Sequence, residues 1–248
     1  MMKDQDGLKI LFVSSEVVPF VKTGGLADVA GFLPREIKNQ GHDIRVVMPE
    51  YTGQIDEQYL TETEYVTDFR TNVAWRDEYV GINKLDNKGV PTYFVDNKEM
   101  FDRSNLYENS DKHVQFAYFC RAVIEMLPKI DFQPDIIHCN DWQTGPLSAM
   151  LKTQYQDYDF YKNIKTIYTI HNLRYQGCFA LDILDDTLAL DSAQLAKIED
   201  DDQVNYMKTG ISFADAINTV SKMYAGEIQT PEFGEGLDYV LRYRKHDL

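Results

Sequence analysis

In the first fifty residues, the spacing of hydrophobic positions changes from that of a buried strand to that of a helix and then back to that of a strand. The run "LKILFVSSEV", beginning at Leu8, is almost continuously apolar, which is typical of a strand buried on both faces of a parallel sheet. Beyond it, "HDIRVVMPEY" predicts a second buried strand, and "NQG" at 39–41 predicts the end of an intervening helix. That helix is predicted by apolar positions that recur every three or four residues: Leu26, Val29, Ala30, Leu33 and Ile37. The pattern predicts a right-handed β-α-β unit.

Strand and helix patterns alternate along most of the remaining chain. Residues 59–96 are the exception, because three β-rich stretches separated by turn residues predict a meander or hairpin at one edge of the sheet. Later, "PDIIHCND" and "KTIYTIHN" predict strands, whereas "KHVQFAYFCRAVIEMLPKI" and "DQVNYMKTGISFA" predict helices. We therefore expect an α/β fold with a doubly wound, mostly parallel sheet and an edge β-meander, built as one domain over residues 1–248.

Composition narrows the classes of partner. The formal net charge is −15, and no block of five or more Lys and Arg residues occurs, which disfavours nucleic acid and anionic lipid. Cys120, Cys139 and Cys178 lack the spacing of a disulfide framework or a zinc site. No stretch approaches the roughly 20 apolar residues of a membrane span, and no signal-peptide core is present. We expect a cytoplasmic protein with no metal, no cofactor, no nucleic-acid partner and no membrane contact.

The first candidate site is the glycine turn in "VKTGGLADV". Gly24 and Gly25 would let the backbone approach an anion, and the helix that follows would point its N-terminus at the same place. Lys22 would add a positive charge, and Asp28 could bond sugar hydroxyls or complement the helix dipole. A glycine-rich turn with a surface lysine remains the alternative. The stretch is neither G-x-G-x-x-G nor a Walker loop.

Two further candidates follow predicted strands, where ligands bind in open α/β sheets. Asp141 and Trp142 in "HCNDWQTG" could hold a sugar, with the carboxylate on hydroxyls and the indole on the pyranose face. A capping aspartate beside a packing tryptophan is equally consistent. His171 and Asn172 in "TIHNLRYQG" could bond a sugar or a leaving phosphate, or only their own loop. No nucleophile elbow or metal-ligand spacing emerges.

Several ordered motifs resemble one family. "SSEVVPFV" followed by "KTGGLADV" is similar to the N-terminal signature of bacterial glycogen synthases and plant starch synthases, glycosyltransferase family 5. "DNKEMFDRSNLYENSD", "FAYFCRA", "HCNDWQTG", "TIHNLRYQG" and "INTVSKMYAGEIQTPEFGEGL" match the same family in the same order. The resemblance extends from Leu8 to about Leu241 and is more specific than any single motif.

The resemblance implies an activity and a two-domain architecture. Members transfer glucose from ADP-glucose to the 4-hydroxyl at the non-reducing end of an α-1,4-glucan such as glycogen, with retention. They have the GT-B fold, in which two Rossmann-like domains flank the active-site cleft. These residues would be the N-terminal, acceptor-side domain. The partners implied are ADP-glucose, the glucan and a C-terminal domain that lies outside these residues.

The resemblance also implies roles for individual residues. Lys22, Gly24 and Gly25 would lie at the ADP-glucose phosphates. The glucosyl and acceptor side would be lined by Asp28, Tyr107, Asp141, His171 and Asn172, and Trp142 would support the sugar site, with Asp141 and His171 as catalytic residues. Many members carry histidine at the positions of Asn140 and Gln143, which makes those two poor candidates for acid–base work here.

Two other classes stay open on the residues alone. A non-catalytic glucan-binding module would use Trp142 and Tyr107 without transfer. A nicotinamide-dependent oxidoreductase would use Glu50, after the second strand, to bind ribose, but the missing G-x-G-x-x-G counts against it.

Overall fold

A computed structural model describes residues 7–190 and 192–248. The strands are β1 Lys9–Val13, β2 Asp43–Pro49, β3 Glu64–Val73, β4 Arg76–Asn87, β5 Val90–Asp96, β6 Ile136–Asn140, β7 Lys165–Ile170, β8 Cys178–Ala180, β9 Glu199–Asp200, β10 Gln203–Asn205 and β11 Ala216–Thr219. The α-helices are α1 Gly25–Asn39, α2 Glu57–Glu62, α3 Lys98–Phe101, α4 Lys112–Met126, α5 Gly145–Met150, α6 Ser192–Ile198, α7 Tyr206–Phe213, α8 Lys222–Glu227 and α9 Asp238–Tyr243. A 3₁₀ turn at Trp142–Thr144 precedes α5, and π-helical turns span Leu151–Tyr155 and Leu184–Leu188.

Eight of the described strands form one large sheet in the order β11-β7-β6-β1-β2-β5-β4-β3. Six neighbouring strands, from β11 to β5, are parallel, whereas β4 and β3 run antiparallel and form the predicted meander with β5. The expected α/β fold with a mostly parallel sheet and an edge meander is therefore confirmed. Leu11, Phe12 and Val13 of the central strand β1 are fully buried, as the continuous apolar run predicts.

The helix predicted from Leu26 is α1, and its apolar stripe faces the core. Leu26 and Ala30 are buried, and Leu33 and Ile37 pack at the edge of the core. None of the helices in the described ranges combines the length and the apolar character that a bilayer crossing demands.

A small antiparallel sheet, β8-β10-β9, corrects one prediction. The stretch "DQVNYMKTGISFA" was expected to be helical throughout, but its first residues form β10 and helix α7 begins only at Tyr206. Asn205 ends the strand and caps the helix, since its side chain accepts a hydrogen bond from the main-chain N–H of Lys208 at 2.9 Å.

The last described residues cover one edge of the large sheet. The main-chain N–H of Ile217 in β11 donates to the carbonyl of Asp247 at 2.7 Å. The Arg244 guanidinium holds this segment in place because it donates to main-chain carbonyls at the end of α7, among them Ile211 at 2.6 Å and Ala214 at 2.7 Å.

The contact between α5 and α7 gives a test of this packing. A Cβ at Gly145 would lie 1.9 Å from the carbonyl oxygen of Tyr206, a backbone atom that cannot rotate away. We expect Gly145→Ala to lower the free energy of unfolding by at least about 1–3 kcal/mol in urea denaturation. The matched control is Gly226→Ala in α8, where a Cβ meets nothing within 4 Å. Helix propensity should make that change neutral or stabilising by up to about 1 kcal/mol. Equal destabilisation by both changes would contradict the packing.

Candidate functional site

The candidate site lies at the edge of the sheet where β1, β6 and β7 end. Because these strands are parallel and adjacent, the residues that follow them come together. Glu16 follows β1, Asp141 follows β6 and His171 follows β7. Alongside burial, the nearby negative charge of Glu16 raises the pKa of Asp141, so the glycine turn and the strand ends belong to one site.

Glu16 already occupies part of the predicted phosphate cradle. Its buried carboxylate accepts hydrogen bonds from the main-chain N–H groups of Thr23 and Gly24, and from the Thr23 hydroxyl at 2.6 Å. The Tyr107 hydroxyl donates to the same carboxylate at 2.7 Å. The N–H groups of the turn itself are therefore satisfied by the protein.

Lys22 and Asp28 form a surface ion pair. The Lys22 ammonium lies 2.7 Å from one Asp28 carboxylate oxygen and 2.8 Å from the other, and both side chains are about half exposed. Exposed pairs of this kind contribute about 0–1 kcal/mol, so a bound anion could take Lys22 away from Asp28 at little cost.

The two glycines leave room for a ligand. A Cβ at Gly24 or Gly25 would meet no atom within 4 Å, so internal packing does not demand glycine at either position. Helix α1 begins at Gly25, and within the described residues no side chain caps its N-terminus. Since the first N–H groups of a helix have no partner inside it, the first turn of α1 and Lys22 together could hold an anion.

Asp141 has a strained backbone and a buried carboxyl group. Its φ of 56° and ψ of −179° fall in a region that is normally reserved for glycine, at a cost of about 1–3 kcal/mol. The carboxylate accepts the main-chain N–H of His171 at 2.7 Å and that of Asn172 at 3.4 Å. Burial nevertheless raises the pKa of Asp141 to about 7, because only 9% of the residue is exposed.

His171 and Asn172 lie directly beside Asp141. His171 Nε2 is 2.9 Å from Asn140 Oδ1, and burial lowers the pKa of the imidazole to about 4. The side chain is therefore neutral at pH 7. Asn172 is exposed, and its side-chain oxygen accepts the main-chain N–H of Arg174 at 3.1 Å. The sequence allows this hydrogen bond within the loop as one role of Asn172. The amide nitrogen of Asn172 can still donate a hydrogen bond to a ligand.

Trp142 is not available as a stacking platform. The residue is only 6% exposed, and its ring packs among aromatic rings including Tyr107, at a centroid distance of 6.2 Å, and Phe116, at 5.1 Å. Gly177 approaches so closely that a Cβ there would lie 2.3 Å from the indole. This burial favours the packing tryptophan that the sequence leaves open over a contact between the indole face and a pyranose. Trp142 instead packs against the ring of Tyr107.

Two residues of this region were missed from the sequence. Glu16 stands in "SSEV" immediately after a buried strand, and that position was the available signal. Asn140 is a poor acid–base candidate from the sequence, yet its side-chain oxygen contacts the His171 ring. Glu50, the candidate for binding ribose, is buried and accepts a hydrogen bond from the Asn83 amide at 2.7 Å, which disfavours a nicotinamide site.

The site presents two different sets of polar groups to a ligand. In residues 7–190 and 192–248, no three His, Cys, Asp or Glu side chains come together in a way that could hold a metal ion. The arrangement offers a cation and a helix N-terminus on one side, and a buried carboxyl group with a neutral imidazole on the other.

Known proteins are similar to this chain in sequence. Residues 9–243 match the family model described as the starch synthase catalytic domain. The chain is 48% identical over 243 residues to the glycogen synthase of Desulforamulus reducens, a match that covers 97% of this chain and 50% of that protein. It is 50% identical over 244 residues to the glycogen synthase of Moorella thermoacetica, covering 97% of this chain and 49% of that protein.

A solved structure extends the comparison to three dimensions. The catalytic domain of starch synthase IV from Arabidopsis thaliana, bound to ADP and acarbose, superposes with a TM-score of 0.89 at 28% identity. The match covers 97% of this chain and 50% of the Arabidopsis chain. The chain thus spans about half the length of the relatives that it matches.

The buried Asp141 carboxyl predicts a dependence of stability on pH. Because folding raises its pKa from 3.8 to about 7, the neutral acid is stabilised, and stability is lost as the pH rises toward 7. Asn at this position keeps the acceptor for the His171 N–H but carries no charge. We expect the gain in unfolding free energy of Asp141→Asn over wild type to grow by about 2–3 kcal/mol between pH 5 and pH 8.

Urea denaturation at the two pH values measures this difference. The control is Asp159→Asn, which changes an exposed carboxylate paired with Lys162 at the surface. A pH-independent difference for Asp141→Asn would contradict burial of the charged form.

Proposed function

Because this chain belongs to the starch synthase catalytic domain family, we propose that it is half of a retaining glucosyltransferase. The proposed enzyme transfers glucose from ADP-glucose to the 4-hydroxyl at the non-reducing end of an α-1,4-glucan. The observation that carries the proposal is the family match over residues 9–243, with the polar site at the carboxyl ends of the strands. The ADP and acarbose bound to the Arabidopsis starch synthase IV supply the matching chemistry, a nucleotide and an oligosaccharide.

The first turn of α1 and Lys22, on either side of the glycine turn, are proposed to hold the leaving diphosphate. Negative charge develops on its oxygens as the glycosidic bond breaks, so positive groups fixed there stabilise the transition state more than the ground state. Lys22 and the first turn of α1 would supply that stabilisation. Asp28 holds Lys22 before the ligand arrives, so it would lose a partner on binding and gain access to sugar hydroxyls.

Asp141 and His171 are proposed to face the glucosyl group. The hydrogen bond from the main-chain N–H of His171 to the Asp141 carboxylate joins their strand ends and fixes the Asp141 carboxyl group beside the His171 backbone. Tyr107 and Asn172 would contact sugar hydroxyls at the rim. Because Trp142 is buried against Tyr107, its indole face is not available as the platform that a non-catalytic glucan-binding module would use.

The first test of the proposal is transfer itself. We expect this chain alone to incorporate almost no glucose into glycogen from ADP-glucose, because the relatives are twice as long and half of the cleft is not supplied. A chimera in which this chain replaces the matching half of the Desulforamulus reducens enzyme should transfer glucose. Turnover by the chain alone equal to that of the chimera would contradict the division into halves. Glucan binding without any transfer by the chimera would favour the binding module.

The second test concerns Lys22. In the chimera, Lys22→Gln should lower kcat/KM for ADP-glucose by about 100-fold, since a cation at the leaving phosphate is lost. The free energy of unfolding should change by less than about 1 kcal/mol because the ion pair with Asp28 is exposed.

The matched control is Lys38→Gln, at the opposite end of α1, where the ammonium contacts the carbonyl of Gly89. This variant should retain the activity of the chimera. Equal kinetics for the two variants would reduce Lys22 to a surface residue.

A further inference from the structure

The side-chain amide of Asn140 is locked in a single orientation. The residue is fully buried, and its amide nitrogen lies 3.0 Å from the carbonyl oxygen of Val13 and 3.2 Å from that of His138. Carbonyl oxygens only accept hydrogen bonds, so the NH₂ group must face them and Oδ1 must face the other way. A flipped amide would bring three acceptors together in a buried place.

This orientation dictates which nitrogen of His171 carries the proton. Asn140 Oδ1 lies 2.9 Å from His171 Nε2 and can only accept, so Nε2 must donate. In a neutral imidazole the other nitrogen, Nδ1, then has a free lone pair. Within the described ranges, His171 Nδ1 receives no hydrogen bond from the protein.

We propose that Asn140 is a positioning residue that fixes His171 as the Nε2–H tautomer, so that Nδ1 accepts a hydrogen bond from a hydroxyl of the bound sugar. The sugar contact rests on the proposed glucosyltransferase function, whereas the tautomer does not. His171 in this state accepts a hydrogen bond and donates no proton from Nδ1, which separates it from a general acid.

The surroundings of the ring keep this state. Asp141 binds the main-chain N–H of His171 and does not bind the ring, so its carboxylate leaves both ring nitrogens untouched. Burial, together with the neighbouring His171, lowers the pKa of His138 to about 4, and burial alone lowers that of His171 to about 4. Both imidazoles are therefore neutral at pH 7, and Nδ1 of His171 stays unprotonated.

Nitrogen NMR of the chain labelled with ¹⁵N-histidine tests the tautomer directly. The chain has 5 histidines, so His171→Gln identifies the His171 signals by their loss. At pH 7 we expect a protonated Nε2 and an unprotonated Nδ1, with the Nε2 proton exchanging slowly with water. A protonated Nδ1 in the unmodified chain would overturn the proposal without any variant at Asn140.

Alanine variants of two buried asparagines distinguish a positioning role of Asn140 from a general effect on stability. Asn140→Ala should make the Nε2 proton exchange at least about 10-fold faster, since its acceptor is gone. The control is Asn87→Ala, a comparably buried amide at the end of β4 whose oxygen accepts from Arg35 at 3.2 Å. That change should leave the His171 signals unaltered.

Kinetics of the chimera described above complete the test. Asn140→Ala should lower kcat/KM by about 10-fold, and Asn87→Ala should change it less than about twofold. Equal kinetics for the two variants would overturn the positioning role even if the tautomer is as expected. An unmodified chimera that transfers no glucose would refute the proposed function and the sugar contact with it, while the NMR result would still decide the tautomer.

Discussion

The hydrogen bond from the main-chain N–H of His171 to the carboxylate of Asp141 is the constraint on which the site depends. It joins the residues that follow two adjacent parallel strands, β6 and β7. To reach it, Asp141 adopts a backbone conformation normally reserved for glycine and buries an ionisable group. Both costs oppose folding, so the stability of the rest of the sheet holds the carboxyl in place. A rigid, strained acid is the kind of group that positions a ligand accurately.

The glycine turn shows how a protein with many carboxylates can keep a lysine accessible to an anion. With a formal charge of −15, an unpaired lysine near a helix N-terminus would attract the protein's own carboxylates. Two acidic residues lie at the turn and have different roles. Glu16 is buried and fixes the shape of the turn, whereas Asp28 forms an exposed, exchangeable partner for Lys22. A phosphate would therefore compete with Asp28 for Lys22 and would leave Glu16 in place.

The sequence predicts the sheet and the location of the site but not the partners of each side chain. Continuous apolar runs such as that of β1 identify the parallel strands, and their carboxyl ends point to Asp141 and His171. Trp142 could not be placed, because local pattern does not show which rings pack against an indole. Glu16 was missed since its partner Tyr107 lies 91 residues away along the chain. Strand β10 is only three residues long and pairs with the distant β8, so it has no period of its own.

Both edges of the large sheet are protected against pairing with another molecule. At one edge, β3 carries charged side chains and a register shift between Tyr65 and Thr67, features that interrupt a regular template for strand addition. At the other edge, the segment held by Arg244 reaches over β11 and takes up the N–H of Ile217. With one outer edge interrupted and the other covered at Ile217, the sheet is a poor seed for strand-by-strand aggregation. By holding the segment that covers β11, Arg244 therefore also opposes the addition of a further strand at this edge.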